Sequence, residues 1–194
     1  MRIIAGTKRG MKLLPPKGDT TRPIIDRVKE SIFDVLYKYD LVEGRNVADL
    51  FSGTGSFGLE ALSRGARRAC FVEQAGRIIE ILKKNIEKCG FTDRANVVRA
   101  NAFAVGAPVW DESEKFSLVF VDPPYAMSRD AEEGSPLGKL MMLLAGQITD
   151  DGLVVVRTEK EVRTLDSYAR LSVVDRRRWG NMAVAFYGLG SNDE

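Results

Sequence analysis

The sequence predicts an α/β fold on a mostly parallel sheet, and two observations lead to it. Strand-like runs near 46–51, 69–73, 95–100, 117–122 and 152–157 alternate with helical patterns near 57–64, 75–90 and 136–147, as successive βαβ units do. Asp49, Glu73, Asn101 and Asp122 fall at or close to the carboxyl ends of those strands, where open α/β sheets bind ligands. At 194 residues the chain is expected to be one domain with a substantial core.

The chain opens on Ile3-Ile4 and Met11-Lys12-Leu13-Leu14 around Gly6-Thr7-Lys8-Arg9-Gly10, the pattern of a small hairpin with a basic tip. Residues 1–29 carry eight Lys/Arg against Asp19 and Asp26, a surplus of six, so the remainder sums to −4 and the net charge of +2 hides an asymmetry. A basic segment on a near-neutral body points to a local polyanion contact. The same charges also suit an ordinary solvated face.

The first strand, Asn46 to Phe51, runs directly into Ser52-Gly53-Thr54-Gly55-Ser56-Phe57-Gly58 and then a helical pattern. Strand, glycine-rich turn and helix let backbone N–H groups approach a nucleotide-like ligand, with Gly53, Gly55 and Gly58 removing side chains that would block it. The second strand, Ala69 to Val72, ends in Glu73, placed to accept hydrogen bonds from two ribose hydroxyls. Asp49 lies four residues before Gly53, where its carboxylate meets a cationic amino group better than a pyrophosphate. S-adenosylmethionine has that ammonium and no phosphate; NAD(P) stays open from the glycines alone. At the tip of the third strand Asn101 could pair with an adenine edge and Ala102 could offer a backbone N–H, or Asn101 is a turn residue.

The fourth strand, Phe116 to Val121, ends in Asp122-Pro123-Pro124-Tyr125. An exocyclic base nitrogen is a poor nucleophile because its lone pair is delocalised into the ring. A carboxylate and a backbone carbonyl that accept its two N–H bonds favour the geometry in which the lone pair points outward. Pro124 lacks an N–H and has a fixed φ, stiffening the turn that aims the Pro123 carbonyl. Tyr125 offers a stacking face, worth about 1–3 kcal/mol per base. The alternative is a strand that stops at a proline turn capped by an aspartate. Arg129 to Pro136 reads as a loop beside this turn, a lid or an ordinary surface loop.

After the fifth strand, Leu171 to Val174 and Met182 to Tyr187 read as strands joined across Trp179-Gly180-Asn181, an antiparallel pair closing a seven-stranded sheet. Arg176-Arg177-Arg178-Trp179 mixes cations with an aromatic, a combination suited to RNA. The chain has no histidine, which excludes Ser-His and Cys-His nucleophiles, and Cys70 and Cys89 lack metal spacing. Neither a metal site nor a disulfide is expected. No apolar run reaches the roughly 18 residues of a membrane span, and Met1-Arg2-Ile3-Ile4-Ala5-Gly6 lacks a signal-peptide core. The expectation is a soluble cytoplasmic protein, read as a monomer.

With these residues in view, the chain resembles the RsmD family, the guanine-N2 methyltransferases of bacterial 16S rRNA, over nearly its whole length. The resemblance is carried by Arg2 to Gly6 with Arg9-Gly10, by Thr21-Arg22-Pro23, and by Asp26-Arg27-Val28-Lys29-Glu30 leading into Phe33. Asp49 to Ala66 and Asp122 to Tyr125 extend it. It implies a class I, Rossmann-like methyltransferase fold with a hairpin extension at 1–22 and the methyltransferase domain at 23–194. The implied cofactor is S-adenosylmethionine, bound by Asp49, Phe51, the three glycines, Glu73, Asn101 and Ala102. Asp122, Pro123 and Tyr125 would hold the target amino group, with no metal. Arg2, Lys8, Arg9, Lys12, Arg22, Arg27 and Arg177 would contact 16S rRNA within the assembled or assembling small subunit. A DNA adenine-N6 methyltransferase shares Asp-Pro-Pro-Tyr but would be expected to carry a recognition domain. A protein-glutamine methyltransferase usually has Asn at the place of Asp122. A catalytically silent RNA-binding assembly factor and an NAD(P) oxidoreductase are the remaining alternatives.

Overall fold

The structure is a computed structural model and describes residues 1–16, 26–109 and 114–190. Among these residues the centre is an eight-stranded sheet: β1 (Asn46–Leu50), β2 (Arg68–Glu73), β3 (Ala95–Arg99), β4 (Phe116–Val121), β5 (Ile148–Glu159), β6 (Ser167–Tyr168), β7 (Leu171–Trp179) and β8 (Met182–Leu189). The strand order is β3-β2-β1-β4-β5-β8-β7-β6. Strands β1 to β5 run parallel, while β8, β7 and β6 add antiparallel. Helices α1 (Asp26–Tyr37), α2 (Ser56–Ser63), α3 (Gly76–Cys89), α4 (Ala102–Val105) and α5 (Pro136–Leu144) cover the two faces. The chain moves outward from β1 through β2 to β3, then crosses back to β4 on the other side of β1. A topological switch point therefore lies between β1 and β4.

Burial on both faces explains the continuous apolar runs. Every residue of β4 is buried. Leu118 and Phe120 join a core with α1, α2 and α3, while Val119 and Val121 join a second core with α5, as the period of two requires. The Phe57 ring stacks on Phe120 at 4.7 Å, fixing the start of α2 over the strand that leads to Asp122. Helix α5 starts where Pro136 supplies a preset φ and Ser135 Oγ accepts the Gly138 N–H at 3.0 Å.

Three features depart from the expected pattern. The sheet has eight strands instead of seven, because Ser167–Tyr168 pairs with β7 at the edge; two residues carry no periodicity to detect. The short helix α4 follows β3, and β5 begins at Ile148, ahead of a register shift opposite β4. The loop after the Asp122 turn is anchored rather than loose: the Tyr168 hydroxyl donates to the Ala131 carbonyl and Asp130 caps the Glu132 N–H at 2.9 Å.

The N-terminal segment does form a narrow hairpin, with an Arg2–Lys12 bridge and Ile3 and Met11 paired at 3.0 Å. Ile3 and Leu13 are buried in the same core as Leu59 and Ile86. Its docking is polar as well. Buried Glu60 on α2 accepts the Ile4 and Ala5 N–H groups at 2.8 and 3.0 Å, and pairs with Lys29 at 3.0 Å and Arg64 at 2.8 Å. Burial pushes the Lys29 amine below its ordinary range, and the Glu60 charge opposes that shift. The close approach needs Gly6: a Cβ there would stand 1.8 Å from the Ser63 carbonyl. The expected boundary between residues 22 and 23 lies outside the described residues.

Candidate active site at the carboxyl ends of the central strands

Strand β1 leaves the sheet through Phe51, which sits in the left-handed region at φ 55°, a strained state for a non-glycine residue that concentrates at functional sites. Its ring lies against Phe103 of α4 at 4.7 Å. The turn then closes through Gly55 N–H to Ser52 carbonyl at 2.8 Å. Gly53, at φ +54°, has no atom nearer than 3.9 Å to where a Cβ would stand, so it borders open space. The other two glycines face the protein. A Cβ at Gly55 would come within 2.6 Å of Leu82 Cδ1, and one at Gly58 within 2.3 Å of the Phe71 ring.

Both acids near this loop brace it. Glu73 Oε2 accepts the Gly53 N–H at 3.0 Å, while Oε1 accepts the N–H groups of Gln74 and Ala75 at 2.9 and 2.8 Å. That leaves the carboxylate fixed at the tip of β2, next to the loop. Asp49 is buried, and its Oδ2 accepts the Gly58 N–H at 2.8 Å. Burial pushes the Asp49 carboxyl up to about 8, with nearby Asp122 and Glu73 adding to the rise and the Gly58 and Phe57 N–H groups opposing it. A cation arriving beside Asp49 would restore the ionised form.

Asn101 is exposed and caps α4, its Oδ1 accepting the Phe103 N–H at 3.1 Å. Ala102 is buried at the first position of that helix. A cleft of about 550 Å³ opens here, between Asn101 and Phe103 on one side and Ala126, Met127, Arg129, Asp130 and Pro136 on the other.

Across the switch point stands Asp122. Its two carboxylate oxygens accept a forked pair from Arg157 on β5, Nε to Oδ1 at 2.6 Å and Nη2 to Oδ2 at 2.8 Å. The Arg157 guanidinium also lies 5.9 Å from the Tyr125 ring centroid, and its Nη1 is 3.3 Å from Met182 Sδ. Burial holds the Asp122 carboxyl above its ordinary range, and the Arg157 charge and hydrogen bonds offset that rise only in part. Pro123 is buried and Pro124 exposed. Among the described residues no group donates a hydrogen bond to the Pro123 carbonyl, whereas the Pro124 carbonyl is taken by the Met127 N–H at 2.8 Å.

The basic residues fall into separate groups. Arg2 and Arg27 lie with α1 near the start of α2, where Lys29 reaches the Arg2 and Ser56 carbonyls; Arg2 pairs with Asp26 at 2.7 Å. Lys8 and Arg9 lie at the far end of α2, with Lys8 N–H donating to Ser63 Oγ. Lys12 is beside Lys88 at the end of α3. Arg177 is exposed on β7 and pairs with Asp175 at 2.9 Å. Arg22 lies outside the described residues. Among the described residues no group of His, Cys, Asp and Glu is placed to hold a metal, and no helix is long and apolar enough to cross a membrane.

Sequence reasoning missed Arg157, Glu60 and Asn85. For Arg157 a signal existed: a charge directly after the apolar run Leu153 to Val156, at a strand's carboxyl end.

The profile of the family described as Conserved hypothetical protein 95 matches residues 1–188. The putative rRNA methyltransferase YlbH of Bacillus subtilis is 32% identical over 187 residues, covering 96% of this chain and 98% of that one. Ribosomal RNA small subunit methyltransferase D of Haemophilus influenzae is 34% identical over 163 residues, 83% of this chain and 80% of the relative. Among solved structures, the putative methyltransferase yhhF from Escherichia coli has a TM-score of 0.81 at 31% identity, over 99% of both chains. An RNA methyltransferase from Salinibacter ruber, solved in complex with S-adenosyl-L-homocysteine, shares the fold with a TM-score of 0.63 at 17% identity, over 89% of this chain and 97% of that one.

Proposed function

The chain belongs to the family described as Conserved hypothetical protein 95, that of the small-subunit rRNA methyltransferases D, and from that premise we propose a specific reaction. The protein moves the methyl group of S-adenosylmethionine to the exocyclic N2 of one guanine in 16S rRNA, within the assembled or assembling small subunit. One observation carries the reading: the Asp122-Pro123-Pro124-Tyr125 turn stands across the switch point from the glycine loop of β1. The turn and the loop border one crevice, which supports reading them as an amino-group holder and a cofactor loop.

The residues present fit the cofactor. Ser52 Oγ is a buried side-chain oxygen without a hydrogen-bond partner among the described residues, directly beside the open backbone at Gly53. Glu73 already accepts three backbone N–H groups and keeps about one acceptor site for a ribose hydroxyl, and Asp49 lies behind the loop as the site for an ammonium. Phe51 and the Asn101–Ala102 tip border the space left for the adenosine. When bound, S-adenosylmethionine supplies a methyl group made electrophilic by its sulfonium.

The chain's own residues do the positioning. Asp122 and the Pro123 carbonyl each accept one N–H of the amino group, turning the nitrogen lone pair outward. Tyr125 stacks on the unstacked base. Orientation of this kind can supply about 7–11 kcal/mol of the barrier reduction. Arg2, Lys8, Arg9, Lys12, Arg22, Arg27 and Arg177 supply phosphate contacts.

The test is transfer of labelled methyl to unmodified small subunits, naked 16S rRNA and duplex DNA in parallel, followed by nucleoside identification. The expected product is N2-methylguanosine from subunits. Label in adenine of DNA would overturn the substrate and keep the amino-group chemistry. No label on any substrate, with tight cofactor binding, would favour a silent assembly factor.

A further inference from the structure

We infer that Arg157 is a positioning residue: its fork fixes Asp122 as an acceptor for the amino group, so that Asp122 orients the base and does not take its proton. This rests on the reading of Asp122 given above.

The geometry leaves Asp122 little freedom. Both oxygens are engaged by one planar guanidinium at 2.6 and 2.8 Å, an arrangement that sets the plane of the carboxylate as well as its position. The guanidinium is itself held, by the Tyr125 face and by Met182 on β8. The pair is largely shielded from water, the two side chains being 13% and 19% exposed. A carboxylate has about four acceptor sites, and the fork uses two. One of the remaining two can accept an amino N–H while the Pro123 carbonyl accepts the other.

The proton balance follows. Forming the N–CH₃ bond and breaking the S–CH₃ bond transfers the positive charge to the base nitrogen, which then releases one proton. A carboxylate that already donates its electron density to a guanidinium fork is a weak base for that proton. Water at the open side of the cleft is the remaining acceptor. Among the described residues the titratable groups that face Asp122 include Arg157 on β5, with Tyr125 beside its guanidinium, and Asp49 on β1, whose own carboxyl is pushed up to about 8. Burial disfavours an ionised Asp122 and the Arg157 guanidinium opposes that, so Arg157 is the group whose loss would let Asp122 take a proton.

The experiment is the pH profile of kcat for wild type, Arg157→Gln and Arg157→Lys on small subunits at saturating cofactor, with cofactor Kd by calorimetry as the check on folding. Wild type is expected to be flat between about pH 6 and 8.5. Arg157→Gln should acquire a limb that falls tenfold per pH unit on the acid side, as the unpaired Asp122 takes a proton. Arg157→Lys should keep a flat profile at reduced kcat, and all three should bind cofactor within about twofold of one another. An Arg157→Gln profile parallel to wild type would overturn the inference. So would a wild-type acid limb with a normal solvent isotope effect, which would make Asp122 the base. Full activity in Asp122→Ala would instead overturn the reading on which the inference rests, so the two failures are distinct.

Discussion

Asn85, fully buried on α3, pairs with both backbone groups of Leu14: its Oδ1 accepts the Leu14 N–H at 2.7 Å and its Nδ2 donates to the Leu14 carbonyl at 3.2 Å. The same Nδ2 donates to the Thr54 carbonyl at 3.0 Å, inside the glycine loop. One amide thus ties the N-terminal hairpin to the turn that faces the cofactor space.

Replacing Asn85 by Leu therefore leaves three backbone groups without their partner. The Thr54 carbonyl is buried, whereas Leu14 is exposed and water can replace its partner; a buried unsatisfied group costs about 1–3 kcal/mol, so a loss of at least about 1 kcal/mol in urea unfolding is expected. Cofactor affinity should fall as well, because Thr54 is released. A loss below about 0.5 kcal/mol with unchanged affinity would contradict the tie.

Asp49 gives the protein a pH signature. Its folded-state carboxyl is pushed from 3.8 to about 8 by burial, so the native state holds the proton more tightly than the unfolded chain does. The stability it contributes is full below about pH 4 and is lost as pH rises through 8, at up to about 1.4 kcal/mol per pH unit. Without cofactor, wild type should lose stability relative to Asp49→Asn across that window. A cationic ligand binds the ionised form, so affinity should rise with pH and level off above 8. Parallel stability curves for the two proteins would contradict the assignment.

The glycines of the loop should separate into two kinds. Gly58→Ala drives a Cβ to within 2.3 Å of the Phe71 ring, and overpacking of this sort costs about 1–3 kcal/mol. Gly53→Ala meets open space, so its cost is the left-handed backbone alone, roughly 1 kcal/mol. Its larger effect should be on cofactor affinity, read by calorimetry. Equal thermal destabilisation with no change in affinity at Gly53 would place that residue outside the cofactor space.

Lys8 lies against Ser63 at the end of α2 and Lys12 beside Lys88 on α3, and neither they nor Arg9 belong to the turn that carries Asp122, so the three test docking separately from chemistry. Their joint replacement by Ala should weaken RNA binding and flatten its logarithmic salt dependence by about two, if each neutralises one phosphate. The kcat at saturating RNA should stay within about twofold. An unchanged salt slope would assign the hairpin tip to solvent.

What was legible in the sequence follows from range. Strands buried on both faces announce themselves as apolar runs, so the positions of Asp49, Glu73 and Asp122 at or beside strand ends are legible. The partners of those acids were not legible. Arg157 lies 35 residues from Asp122 and meets it only because β4 and β5 are neighbours. Glu60 and Asn85 look like ordinary polar residues on helices until the hairpin is packed over them. Gly55 and Gly58 read as openings for a ligand because their neighbours, Leu82 and Phe71, come from elsewhere in the chain. Asn101 showed both of its possibilities, and in the structure it caps α4.

The most direct test of the central claim is nucleoside mass spectrometry of 16S rRNA from cells lacking this gene, complemented with wild type or with Asp122→Ala. Loss of one N2-methylguanosine in the deletion, restored by wild type and not by Asp122→Ala, is the predicted result. An unchanged N2-methylguanosine content in the deletion, or full restoration by Asp122→Ala, would contradict the account.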